Sequence, residues 1–158
     1  MKRHKRIVTM LGVGYVPYAP GTAGSIVGVV LLFITNSLLI KLGFGTTAVL
    51  FINLALTILV FLIGSYSIKK IQTKWEYDDS KIVIDEVIGV WIAALALPLR
   101  LEYYLVALLL FRVFDIVKPL FIKKIDAIKS HWSVMLDDVL AGIYARVVIQ
   151  FILFFNLF

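Results

Sequence analysis

Acidic side chains interrupt an otherwise apolar chain in a pattern suited to holding a cation. Asp85 and Glu86 form one adjacent pair and Asp137 and Asp138 another; Asp115 lies between the pairs, with Arg112 and Lys118 three residues to either side. Carboxylates with no cysteine or histidine beside them are hard oxygen donors. Such donors suit Mg²⁺, which is held by one or two carboxylates together with water and substrate phosphate. Arg112 and Lys118, one turn either side of Asp115 on a helix, share its face and supply positive charge for an anionic substrate. This combination suits a divalent cation held beside an anionic substrate.

A second stretch, YAPGTAGSIVG at 18–28, brings small and hydroxyl-bearing residues to the start of an apolar run. Pro20 and Gly21 break the chain, and Thr22, Gly24 and Ser25 follow. Exposed N–H groups at a helix N-terminus attract phosphate, which makes Gly21 and Thr22 phosphate-binding candidates. The same pattern also reads as an ordinary turn and N-cap. Gly89 and Gly142 each lie one turn beyond an acidic pair, where glycine lets two helices approach closely. His4 belongs to the basic N-terminal segment and is expected in headgroups or solvent. His131, six residues before Asp137, is the histidine within reach of the acids, although a catalytic part for it is the weaker reading.

The elements that must position these groups are membrane helices. The chain has 158 residues, 61% of them apolar, and a mean hydropathy of +0.99. Soluble domains have about 45–50% apolar residues. Five stretches approach the ~20 residues that a helix needs to cross the hydrocarbon: 25–40, 46–68, 84–97, 102–117 and 139–158, the third being short. The expected fold is an all-α polytopic bundle, a single domain over 1–158 in which 1–24 forms a cytoplasmic basic tail and PGT loop.

Basic flanks orient that bundle. Lys2, Arg3, Lys5 and Arg6 precede the first span; Lys69, Lys70, Lys74 and Lys81 follow the second; Lys118, Lys123, Lys124 and Lys129 follow the fourth; the opposite ends carry only Lys41 and Arg100. The positive-inside rule then places the N-terminus and both long loops in the cytoplasm. All five acids fall at that face. A net charge of +6 would suit nucleic acid as a continuous basic stripe, but here the charges sit at the ends of apolar runs. Gly and Pro interrupt the sequence after KRHKR, so no cleaved leader is expected. With no cysteines, disulfides and thiolate metal sites are excluded.

Ionised groups at membrane depth cost on the order of 2.5–3.5 kcal/mol each on insertion scales. Simple pairing of Asp85 with Arg146, Asp115 with Lys118 and Asp138 with Arg112 would offset part of that cost. Five acids against three cations still leave two negative charges, which a divalent ion would neutralise.

The motifs PGTAGS, IDEVIGVW, FRVFDIVKP with the following KKID, and MLDDVLAG, in that order, resemble the phosphatidylglycerophosphatase A family of bacterial membrane phosphatases. The resemblance spans nearly the whole chain. It implies a Mg²⁺-dependent enzyme of the bacterial inner membrane that removes the terminal phosphate of phosphatidylglycerophosphate. Carried over by motif, the functional positions are Asp85, Glu86, Arg112, Asp115, Lys118, Asp137 and Asp138, the loop Pro20, Gly21 and Thr22, and the acid Asp126. One departure stands out: KSHWSV at 129–134 replaces the glycine-rich approach to MLDD usual in the family.

On this reading Asp85, Glu86, Asp115 and Asp138 hold one or two Mg²⁺, Arg112 and Lys118 bind phosphate, and Asp137 orients or deprotonates water. A covalent aspartyl-phosphate is the other open route. The partners are the lipid substrate and the bilayer, without nucleic acid, and the oligomeric state is left open. The alternative from another class is a small ion-coupled transporter with an acidic cation site.

Overall fold

Apolar runs without internal proline fold into helices wherever a bundle can satisfy the backbone. The computed structural model describes residues 2–73, 75 and 79–155, and among them it is all-helical, with no strand. The helices are α1 (Lys2–Val8), α2 (Pro20–Lys41), α3 (Thr46–Ile71), α4 (Ile84–Ala93), α5 (Leu101–Val117), α6 (Phe121–Asp126) and α7 (Ser133–Phe154), with a 3-10 segment at Met10–Tyr15 after α1. Lys74 and the last three positions of the expected fifth span lie outside the described residues. Among the described residues two helices, α2 and α3, are long and apolar enough to cross a membrane, with mean hydropathies of 2.2 and 2.5 over their most apolar windows.

Three boundaries differ from those read in the sequence. The helix expected from residue 25 begins at Pro20, because proline's fixed φ and missing N–H suit the first helical position. PGT is therefore the first turn of α2 and not a loop. The third apolar run ends as a helix at Ala93 although it stays apolar to Leu97. At ten residues α4 is about 15 Å long, and Pro98 disfavours helix at the residue before it. Residues 94–100 carry the chain onward in turns to α5. Third, the N-terminal basic segment, expected as a tail, contains α1, which packs on α3: His4 Nδ1 lies 3.2 Å from Ser67 Oγ and its ring meets Tyr66 edge-on.

The short α4 is the hub of the bundle. It packs most extensively on α7 and next on α2, with further contacts to α3 and α5, and Val87, Ile88, Val90 and Ala93 on it are at most 1% exposed. Gly89 makes the closeness possible. A Cβ there would meet the Phe111 ring and lie 2.9 Å from the Asp138 carbonyl oxygen, and one at Gly142 would run into the Gly89 carbonyl oxygen. Trp91 adds a polar tie, donating its indole N–H to the Gly28 carbonyl at 2.8 Å.

Toward the far end of the bundle a buried amide ladder holds α2, α3 and α5 together. Asn53 Nδ2 donates to Asn36 Oδ1 at 2.8 Å, and Asn36 Nδ2 donates to the Tyr104 hydroxyl at 2.7 Å. Polar side chains in an apolar bundle are tolerable when they satisfy one another in this way.

Candidate active site

The helix ends that converge at one end of the bundle carry the candidate catalytic side chains. α2, α4 and α7 begin there and α5 ends there, and together they line a cavity of about 380 Å³. Its walls hold Asp85 and Glu86 from α4, Arg112 and Asp115 from α5, Lys118 just beyond, Asp137 and Asp138 from α7, and Gly21 and Thr22 from α2. Of the positions expected from the sequence, Pro20, Gly21, Thr22, Asp85, Glu86, Arg112, Asp115, Lys118, Asp137 and Asp138 line this cavity, whereas Asp126 does not and meets it only through Lys118. Five carboxylates meet two cations, so the negative surplus is larger than the sequence count gave.

Three of the acids converge closely. Glu86, Asp115 and Asp138, from three different helices, each place one carboxylate oxygen within 4.8 Å of the others. That all-oxygen donor set, with surplus negative charge and no sulfur or imidazole, fits a hard divalent cation. Asp85 lines the same cavity at 6% exposure, and its Oδ1 accepts the Glu86 backbone N–H at 3.0 Å.

The ion pairs are arranged differently from the expected ones. Arg112 Nη1 bridges Glu86 and Asp115, contacting Asp115 Oδ2 at 2.7 Å, instead of pairing with Asp138. Lys118 Nζ reaches Asp137 Oδ2 at 2.8 Å and Asp126 Oδ1 at 3.2 Å instead of Asp115. The reason is local: Lys118 caps α5 in the left-handed conformation, φ 46° and ψ 58°, so the chain leaves the helix before the Asp115 face is repeated. Burial alone would lower the Lys118 pKa, but the hydrogen bond and charge of Asp137, followed by those of Asp126, outweigh it and raise the pKa above the ordinary lysine value. Arg146 makes no ion pair among the described residues. Its Nη1 is buried without a hydrogen-bond partner, two turns farther along α7 than Asp138.

Ser25 is the residue the sequence reading passed over as a site member. It is fully buried on α2, and its hydroxyl lies 3.1 Å from Glu86 Oε2 and 2.9 Å from the Gly21 carbonyl. Its place one turn after Gly21 in the PGTAGS stretch was the available signal. His131 is not among the residues lining the cavity; its ring packs beside Trp132 at 5.3 Å. Its pKa is lowered, first by burial and then by the charge of Lys69.

Comparison with known proteins decides what this cavity belongs to. The family model described as Phosphatidylglycerophosphatase A matches residues 6–153. The chain belongs to the phosphatidylglycerophosphatase A family. It is accordingly a phosphatase acting on a phosphate monoester, which sets the carrier alternative aside.

Relatives within and around the family agree. A Haemophilus influenzae phosphatidylglycerophosphatase A is 40% identical over 87% of this chain and 81% of its own length. The Escherichia coli phosphatidylglycerophosphatase A is 29% identical over 89% of this chain and 78% of its own. A Bacteroides thetaiotaomicron protein, provisionally named a phosphatidylinositol-3-phosphatase, is 41% identical over 90% and 89% respectively. No solved structure matches the chain significantly. The bacterial family and the two apolar helices together support a protein of the inner membrane.

Proposed function

We propose that this protein hydrolyses the terminal phosphate of phosphatidylglycerophosphate, with Mg²⁺, to give phosphatidylglycerol and inorganic phosphate during glycerophospholipid synthesis. The observation that carries this reading is the convergence of the Glu86, Asp115 and Asp138 oxygens beside Arg112 and Lys118 in one cavity. In the proposed topology five spans cross the bilayer, α4 with residues 94–97 forming the short third, and the cavity opens at the cytoplasmic face. A lipid phosphate in the headgroup layer then reaches the site while its acyl chains stay in hydrocarbon.

The chain's own groups divide the work. Glu86, Asp115 and Asp138, with Asp85 beside them, are the residues that would hold Mg²⁺. The bound ion supplies positive charge to neutralise phosphoryl oxygens. Arg112, released from Glu86 and Asp115, presents its N–H fork to the phosphate, and Lys118 adds a second charge. The N–H groups of Gly21 and Thr22, in the first turn of α2, lack intrahelical acceptors and point to the same anion.

Asp137, held by Lys118, takes a proton from water as oxygen attacks phosphorus in line. The bond from phosphorus to the glycerol oxygen breaks, that oxygen takes a proton from solvent to leave as a hydroxyl, and Asp137 returns its proton to solvent.

The test is phosphate release by detergent-purified protein from phosphatidylglycerophosphate, phosphatidic acid, lysophosphatidic acid and phosphatidylinositol 3-phosphate, each with Mg²⁺ or excess EDTA. Turnover should be fastest on phosphatidylglycerophosphate and vanish in EDTA. Faster turnover on phosphatidylinositol 3-phosphate would overturn the substrate assignment, and full activity in EDTA would overturn the metal role.

A further inference from the structure

We propose that Gly21 and Ser25 form a clamp on α2 that fixes the carboxylate of Glu86, with Ser25 acting as a positioning residue. Residues four apart on a helix share a face, and here that face is pressed against Glu86. The Ser25 hydroxyl is within hydrogen-bond distance of Glu86 Oε2 at 3.1 Å. The other oxygen, Oε1, occupies the space a Cβ at position 21 would fill. Both oxygens thus lie against α2, and Arg112 Nη1, itself 3.4 Å from the Cβ position at Gly21, bridges Glu86 to Asp115 beside them.

The clamp explains two residue types at once. Gly21 leaves room that alanine would take away, and Ser25, with no exposed surface, supplies a hydroxyl where an apolar residue would pack without one. A serine hydroxyl inside a helix commonly bonds back to the carbonyl one turn earlier. Ser25 has that acceptor in Gly21 at 2.9 Å, so its single proton is shared between backbone and carboxylate. Ser37, on the same helix, donates to the Phe33 carbonyl at 2.8 Å and provides an internal control. The inference deepens the proposed metal-dependent reading and rests on it for its link to catalysis, whereas the contact itself does not depend on a metal.

The experiment uses the full chain in detergent. Mn²⁺ binding is followed by electron paramagnetic resonance of the free ion in wild type, Ser25→Ala, Gly21→Ala and Ser37→Ala. Partners that orient ligating carboxylates are worth about 10–100-fold in metal affinity, so Ser25→Ala and Gly21→Ala should each weaken binding at least about tenfold. Ser37→Ala should leave it unchanged.

Wild-type binding that Ser25→Ala leaves intact would overturn the clamp. Absence of binding by wild type would overturn the metal reading instead. In that event metal-free unfolding temperatures of Ser25→Ala, Glu86→Ala and the double variant still decide: non-additivity supports the clamp, and strict additivity overturns it.

Discussion

Replacing Gly89 with alanine tests whether the α4–α7 crossing sets the distance between the acids. A Cβ at Gly89 would lie 2.9 Å from the Asp138 carbonyl oxygen, against about 3.4 Å for ordinary contact, and would also overlap the Phe111 ring. The helices must therefore part by about half an ångström at the crossing, with Phe111 displaced further. Overpacking of this kind costs about 1–3 kcal/mol. The effect on catalysis should be larger, because Glu86 lies one turn before Gly89 and Asp138 one turn before Gly142, so the crossing moves one carboxylate relative to the other. Displacements of about 1 Å cost on the order of a hundredfold in rate. Phosphate release from phosphatidylglycerophosphate should thus fall about 10–100-fold while the variant remains folded, with a lowered unfolding temperature in detergent. Gly142→Ala, acting on the other side of the same crossing, should do the same. Wild-type turnover in a folded Gly89→Ala protein would refute the idea that backbone proximity positions the carboxylates.

Other outcomes follow from the same geometry. Asp138→Asn removes a charge from the convergent trio and should lower turnover by on the order of a hundredfold or more, with near-native circular dichroism; retention of activity would remove Asp138 from the site. Arg112→Lys keeps the charge but loses the planar fork, so kcat/KM should fall about a hundredfold, a result steady-state kinetics will reveal. Asn36→Ala breaks two buried hydrogen bonds, each worth roughly 0.6–1.7 kcal/mol in a membrane interior. It should lower the unfolding temperature with little change in turnover, because Asn36 lies three turns along α2 from Ser25.

Much of the candidate site was legible because charge is costly in apolar sequence, so the acids and bases at the ends of greasy runs marked candidate positions. Asp85, Glu86, Arg112, Asp115, Lys118, Asp137 and Asp138 all line one cavity, as their placement suggested. Their pairing was not legible. Which carboxylate meets which cation depends on helix rotation and on one backbone angle at Lys118, and hydropathy carries neither. The end of α4 at Ala93 was hidden for a related reason: residues 94–97 are as apolar as the helix before them, and only Pro98 marked a boundary. The clamp on Glu86 was obscured because serine at a helix start reads as a cap until the carboxylate it faces, 61 positions away, is known.

Lys118 sits in a backbone conformation that its side chain disfavours, by roughly 1–2 kcal/mol, in order to aim its ammonium at two carboxylates. A redesign guided by folding stability alone would choose glycine at this position, and the relaxed protein would have lost the ammonium that ties Asp137 to Asp126. Thermostabilised versions of this enzyme should therefore be screened for turnover at that position before their melting behaviour is taken as success.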